Sequence, residues 1–296
     1  MASDSRYALL VNPSAGGGRT RELLPAVERA LTARGLGHRV VLTESLEHAR
    51  DSALAAVSGG ETPVVMSGDG LIGQIGGALA GSDATMGVIP GGRGNDLARV
   101  LGIPAEPEEA VAVLAAGDVR TIDVGEVNGE RYLCVASCGF DSDANRIANE
   151  AKLIKGRLVY AYAALRAMAA WKPARFTITL DGDRREFRGY SVAAANSKAF
   201  GGGMFIAPDA LLDDGALDVV YITQVGRFHY LRGLPKVFDG SHVENDEVVV
   251  LRGRELTIEA DRPFAVYADG EHISHLPAKL RVLPSALRVL APPPTP

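Results

Sequence analysis

Asp69 stands where a charge is hard to place. In "VVMSGDGLIGQIGGAL" (64–79) a run of apolar residues ends in a turn that holds this one carboxylate between Gly68 and Gly70. Two more small-residue turns, "NPSAGGGRT" (12–20) and "PGGRGND" (90–96), occupy the same kind of place, after a strand-like run and before a helix-like one. Backbone N–H groups in such loops can cradle phosphates, and so can the helix N-termini that follow them. "GDGLIG" (68–73) also fits the dinucleotide fingerprint G-x-G-x-x-G. That fingerprint normally leads to an acidic residue at the end of the next strand, to hold a ribose hydroxyl. Here the next strand, "TMGVIP", runs into "GGRGND", and Arg93 is its first charge. Asp69 would also lie beside a pyrophosphate, where the helix end should receive only the ligand's negative charge. A carboxylate belongs there if a metal ion or a hydroxyl proton is present too. No G-x-x-x-x-G-K-[ST] loop occurs, so the phosphate loop is not of the Walker type. The expectation is a nucleotide held by three glycine turns.

The elements around these turns follow from periodicity. Strands are expected at 7–12, 38–43, 63–67 and 85–90, and helices at 19–35, 46–59, about 71–80, 95–102 and 106–117. Asn95 or Asp96 would cap the fourth helix. Strands alternating with helices imply a parallel sheet covered on both faces, with the loops at the carboxyl ends of its strands lining one crevice. The pattern changes near Asp123. From there "EVNGERYL", "ITLDGDRREF", "LLDDGALDVVYI" and "VYADGEHI" place Asn-Gly and Asp-Gly pairs between β-rich runs, which favours tight hairpins because these residues tolerate positive φ. The second half reads as antiparallel β interrupted by a helix at about 144–171. "SALRVLAP" (285–292) reads as a strand returning to either domain.

Composition narrows the function classes. The chain has 296 residues and a net charge of −5, which argues for two domains and against a nucleic-acid partner. No secretory signal is read at the start and no apolar run reaches the length of a membrane span, so the expectation is a cytoplasmic protein without a transmembrane segment. Cys134 and Cys138 read as small buried hydrophobes. The six histidines show no metal-binding spacing. Residues 146–175 are basic and flank the apolar "LVYAYAALRAMAAW". They form either a buried helix with solvated ends or a surface that meets anionic lipid headgroups.

The motifs in order resemble the catalytic domain of the diacylglycerol kinase and sphingosine kinase family. "VVMSGDGLIGQIGGAL" is similar to that family's nucleotide loop, "LLVNPSAGGG" to its first loop and "GVIPGGRGNDLARVLGIP" to another. "FIAPDALLDDGALDVVYI" and "YADGE" resemble its C-terminal domain. The resemblance implies an ATP-NAD kinase-like α/β domain (1–122, joined by the strand at 284–296) and a C-terminal antiparallel β-sandwich (123–283). It implies ATP and Mg²⁺ held between them, and a lipid that enters from the second. Asn12, Ser14, Gly16, Thr43, Gly68, Asp69, Gly70, Leu71, Gln74 and Arg93 match nucleotide-binding positions, Arg93 standing where many relatives have threonine. Two carboxylates compete as base for the lipid hydroxyl: Glu271, with Asp69 then arranging Mg·ATP, or Asp69 itself. Without the resemblance, Asp269-Gly270-Glu271 reads as a simple hairpin tip. A structural Mg²⁺ would be held by Asp214, Leu211 and Ala216, and Asp123 would reach it through water. Relatives suggest a homodimer and peripheral contact with a membrane. Gly73-Gln74 stands where relatives read Asn-Glu, which keeps a binding protein without kinase activity as an alternative, alongside a kinase for a soluble acceptor such as NAD. The resemblance implies diacylglycerol or a related lipid alcohol as the acceptor, although the residues alone do not name the lipid.

Overall fold

The computed structural model describes residues 7–140 and 172–294. The expected helix at 144–171 lies outside them, as does most of the basic segment 146–175. Two compact units divide the chain, residues 1–124 with 284–296, and residues 125–283.

The first unit runs β1 (Tyr7–Val11), α1 (Arg19–Ala33), β2 (His38–Leu42), α2 (Leu46–Ser58), β3 (Thr62–Ser67), α3 (Asp69–Leu79), β4 (Thr85–Pro90), α4 (Asp96–Leu101) and α5 (Pro107–Ala116). Its strands pair in parallel in the order β2-β1-β3-β4. β1 is buried along its whole length, and β3 and β4 are buried beyond their first residue, as a parallel strand covered on both faces must be. That is why these strands read as apolar runs rather than as alternations. The helices cover the sheet with apolar stripes: α1 buries Val27, Ala30 and Leu31, and α2 buries Ala49, Ala53 and Ala56. Each large aliphatic side chain so buried contributes about 1.5–3 kcal/mol.

Register decides where the turns fall. Val11 lies opposite Leu42 and Met66, and Met66 lies opposite Ile89. Asn12, Thr43, Gly68 and Gly91 therefore emerge together at the carboxyl edge of the sheet. Two boundaries differ from the periodicity. α3 begins at Asp69, two residues early, because Gly68 serves as the cap residue in extended conformation. Asn95 precedes α4 but its side chain makes no capping hydrogen bond; its Oδ1 accepts from Gly92 N–H at 2.8 Å instead.

The second unit is antiparallel. β5 (Val119–Val127) leads out of the first unit, and β6 (Glu130–Tyr132), β7 (Val135–Gly139), β8 (Ala174–Leu180), β9 (Asp183–Ala195), β10 (Ala199–Phe200), β11 (Met204–Phe205), β12 (Leu217–Thr223), β13 (Val248–Gly253), β14 (Glu255–Ala260), β15 (Ala265–Ala268) and β16 (Glu271–His275) follow, before β17 (Ala278–Leu290) leads back. Asn128-Gly129, Asp181-Gly182 and Asp269-Gly270 each have positive φ at both residues and join β5 to β6, β8 to β9 and β15 to β16, the geometry that such pairs favour. The fourth pair, Asp214-Gly215, joins no hairpin; it lies in the turn before β12. Cys134 and Cys138 are both buried, as expected of small hydrophobes. A helix at Arg227–Gly233 and two short helical turns, Leu234–Phe238 and Ser241–Glu244, lie between β12 and β13. Among the described residues no helix is long and apolar enough to cross a membrane.

β17 pairs first with β14 and then, in parallel, with β4. Where the chain leaves and re-enters the first unit, Asp123 Oδ1 accepts from Ser285 N–H at 2.7 Å. Asp123 is 1% exposed and Ser285 sits at φ 49°, so a buried acceptor holds a left-handed residue in place. Asp123→Ala should lower stability by about 1–3 kcal/mol, because it removes a hydrogen bond to a charged acceptor. Asp123→Asn keeps an oxygen there and should lose less. Thermal melts of the two variants beside the parent check this; equal melting temperatures would refute the assignment.

Candidate functional site

The three glycine turns pack against one another through backbone. A Cβ on Gly92 would overlap Gly68 Cα, one on Gly16 would overlap the Gly91 carbonyl, and one on Gly91 would strike Thr20. Gly16 also has φ 63°, so glycine is required there for conformation as well as for space. Hydrogen bonds add to the contact: Gly91 N–H donates to Ser67 O at 2.9 Å and Asn12 N–H to Met66 O at 3.3 Å. Thr20, which the sequence did not single out, is buried and donates its hydroxyl to Asn12 O.

Most of the expected nucleotide residues gather on this edge. Asn12 Oδ1 accepts from Ser14 N–H at 3.1 Å and from its hydroxyl at 2.8 Å, which shapes the first turn. Thr43 is buried, with its N–H 2.8 Å and its hydroxyl 3.2 Å from Val11 O. Gly68, Asp69, Gly70 and Leu71 form the start of α3, where N–H groups have no acceptor within the helix. Gln74 is half-buried one turn on and Arg93 is exposed. Gly73, Gly76 and Gly77 are buried, and α3 packs on α2, whose buried face is all alanine. The glycines that would loosen an isolated helix thus lie in a close-packed face.

Asp69 has a structural partner. Its Oδ1 accepts from Asp96 N–H at 2.6 Å and lies 3.4 Å from Leu97 N. The carboxylate therefore caps the neighbouring helix α4, the task Asn95 leaves undone, and negative charge at that helix end is favourable. A bound cation is not needed to explain the charge in the turn.

Glu271 stands in the second unit, at the first position of β16 after the Asp269-Gly270 turn. Asp269 anchors that turn: its Oδ2 accepts from Leu133 N–H at 2.7 Å, and its Oδ1 from Cys134 N–H at 2.9 Å and Val135 N–H at 3.2 Å. These partners, more than 130 positions away, carry no local signal beyond the turn itself. Glu271 is exposed as a residue, yet the atoms packed around its carboxyl group push its pKa above the ordinary glutamate value. No hydrogen bond among the described residues engages that carboxylate. A tethered carboxyl group of raised basicity suits proton abstraction from an alcohol.

Asp214 differs from the expectation. Its Oδ1 accepts from Ala216 N–H at 3.1 Å. Its Oδ2 has no hydrogen-bond donor but is in ion-pair contact with Arg252. Arg252 lies opposite Asp218 across β12 and β13. Burial pushes the Asp218 pKa up, while Arg252 pulls it down and Asp214 and Asp209 push it up. The guanidinium thus sits between two carboxylates. In the set implied for a resident Mg²⁺, Leu211, Asp214 and Ala216, the one charged member is in contact with an arginine. Among the described residues no three His, Cys, Asp or Glu side chains converge on a metal position. Arg252, 38 residues from Asp214 in sequence, carries no motif that would have flagged it.

Comparison with known proteins bears on the whole chain. Residues 6–127 match the diacylglycerol kinase catalytic domain, and residues 134–291 match the YegS C-terminal NAD kinase beta sandwich-like domain. A diacylglycerol kinase of Mycobacterium tuberculosis is 34% identical, the match covering 97% of this chain and 95% of that one. A Pseudomonas aeruginosa protein named "Probable lipid kinase YegS-like" is 32% identical over 99% and 96% of the two chains. The crystal structure of a diacylglycerol kinase from Bacillus anthracis superposes with a TM-score of 0.81 at 25% identity, covering 98% of both.

Arg252→Gln should expose the repulsion between Asp214 and Asp218. A half-exposed pair counts for less than a buried one, so the expected loss is about 1 kcal/mol, or roughly 2–4 °C in melting temperature. Millimolar Mg²⁺ should restore part of it in the variant and leave the parent unmoved. A parent protein that melts lower in EDTA and recovers with Mg²⁺ would show that a metal, not Arg252, balances Asp214.

Proposed function

This chain belongs to the diacylglycerol kinase family of lipid kinases, and on that basis we propose that it transfers the γ-phosphate of ATP to the hydroxyl of a lipid alcohol, diacylglycerol or a close relative. The observation that carries the reading is the interlocked set of glycine turns. Their close approach supplies side-chain-free backbone and the N-terminus of α3 at one edge, a surface suited to phosphate oxygens.

In this reading Asn12, Ser14, Gly16 and Thr43 bind and shape the nucleotide side of the site. Gly68, Gly70 and Leu71 present N–H groups to phosphate, with Gln74 and Arg93 as outlying polar contacts. Asp69 acts as a positioning residue: by capping α4 it holds the second and third turns in register. Mg²⁺ travels with ATP as part of the substrate and supplies charge neutralisation between the phosphates. Glu271 takes the proton from the acceptor hydroxyl as its oxygen bonds to the γ-phosphorus and the bond to the ADP oxygen breaks. Asp269 keeps Glu271 at the hairpin start, and desolvation makes it a stronger base than a free glutamate.

The test is transfer of labelled γ-phosphate to mixed micelles holding single candidate lipids, with NAD as a soluble control. Glu271→Gln should lose about 10²–10⁴-fold in turnover, the usual worth of a general base. A base must be ionised, so parent activity should fall on the acid side, with an apparent pKa above the ordinary glutamate value of 4.5. Label in NAD and none in lipid would overturn the reading. Undiminished transfer by Glu271→Gln would remove Glu271 from it.

A further inference from the structure

Phe228 is 86% exposed, far more than any other large hydrophobic among the described residues, of which the next is Leu211 at 54%. It stands near the start of the helix at Arg227–Gly233, in "QVGRFHYLRGLPKVF" (224–238). The helix cannot turn to hide it. Tyr230, two positions on, is 4% exposed and stacks on Tyr190 with ring centroids 4.1 Å apart, edge-on to Phe140 at 5.0 Å. The Tyr190 hydroxyl in turn donates to Val225 O at 2.7 Å. With Tyr230 locked inward, the geometry of a helix sends Phe228 outward.

The surroundings are basic in an acidic protein. Residues 224–238 hold Arg227, Arg232 and Lys236 and no acid, against a net charge of −5 for the whole chain. Arg232 and Lys236 are exposed; Lys236 reaches Asn245 Oδ1 at 2.7 Å and has the exposed Asp239 carboxylate within electrostatic reach. A further acid in contact with the segment, Glu247, pairs with His229 at 3.0 Å and is itself nearly buried. One rigid aromatic ring projecting from a cationic surface matches the interface of an anionic bilayer, where the ring enters the headgroup boundary and the cations meet lipid phosphates.

We propose that the segment 224–238 docks this protein on anionic lipid bilayers, Phe228 as the inserted ring and Arg232 and Lys236 as the headgroup contacts. The proposal rests on the lipid-kinase reading for its purpose, since the acceptor of such an enzyme resides in a membrane, but the docking is measurable without catalysis. Neither Phe228 nor the two cations belongs to the nucleotide or acceptor machinery assigned above.

The experiment is co-sedimentation of the full chain with vesicles of phosphatidylcholine alone and of phosphatidylcholine with phosphatidylglycerol. The parent should bind the anionic vesicles in a salt-sensitive way and the neutral ones weakly. Phe228→Ala should weaken binding about tenfold, the worth of one buried aromatic ring. Arg232→Glu with Lys236→Glu should abolish the preference for anionic vesicles. Melting curves on both variants confirm that they fold. Phosphate transfer by Phe228→Ala to a short-chain, water-soluble lipid alcohol should equal the parent's, while transfer to the same headgroup in a bilayer should fall. Parent-like vesicle binding by both variants, or no binding by the parent, overturns the proposal. If binding depends on Phe228 and no lipid is phosphorylated, the docking surface stands and the kinase reading fails.

Discussion

Two glycine backbones in contact, Gly68 against Gly92, govern the geometry of the first unit. No side chain can enter between them, so the ends of β3 and β4 close on each other and bring the starts of α3 and α4 together. Two helix N-termini side by side concentrate positive potential, and Asp69 answers that potential at α4. Every feature of this edge follows from the missing Cβ atoms: the interlocked turns, the cap supplied across elements, and Asn95 turned back on Gly92. A methyl group at position 68 or 92 would push the strand ends apart and undo all three.

Three buried or half-buried aspartates share one chemistry, and the candidate base stands outside it. Asp69, Asp123 and Asp269 each accept backbone N–H groups from residues distant in sequence. Such charge-assisted bonds are strong and leave the carboxylate committed. Glu271 has no such bond, and its surroundings raise rather than lower its pKa. The division separates acids that hold the fold from one available to react. It shifts the balance between the two candidate bases toward Glu271.

What was legible in the sequence is what local physics writes there. Apolar runs gave the parallel strands, and Asn-Gly and Asp-Gly gave three hairpins, because side-chain burial and positive φ act within a few residues. The start of α3 was misread because a glycine cap carries no side-chain signal. Asp214-Gly215 looked like a fourth hairpin, and only the flanking strands show it is not one. The partners of the acids were invisible: Asp269 meets Cys134 across 135 positions, and Arg252 owes its place beside Asp214 to the pairing of β12 with β13. The glycines of α3 suggest a weak helix when counted alone, while Gly73, Gly76 and Gly77 are all buried in the fold.

The path of the chain has a consequence for its making. Residues 125–283 are inserted between β5 and β17, and β4 acquires its neighbour only through Arg288 and Val289. During synthesis the whole second unit emerges while the first still has an open sheet edge at β4. An unpaired parallel edge is a template for the wrong partner, so the nascent first unit spends the translation of some 160 residues exposed to mispairing. β17, the last of the described strands, is the one that closes that edge.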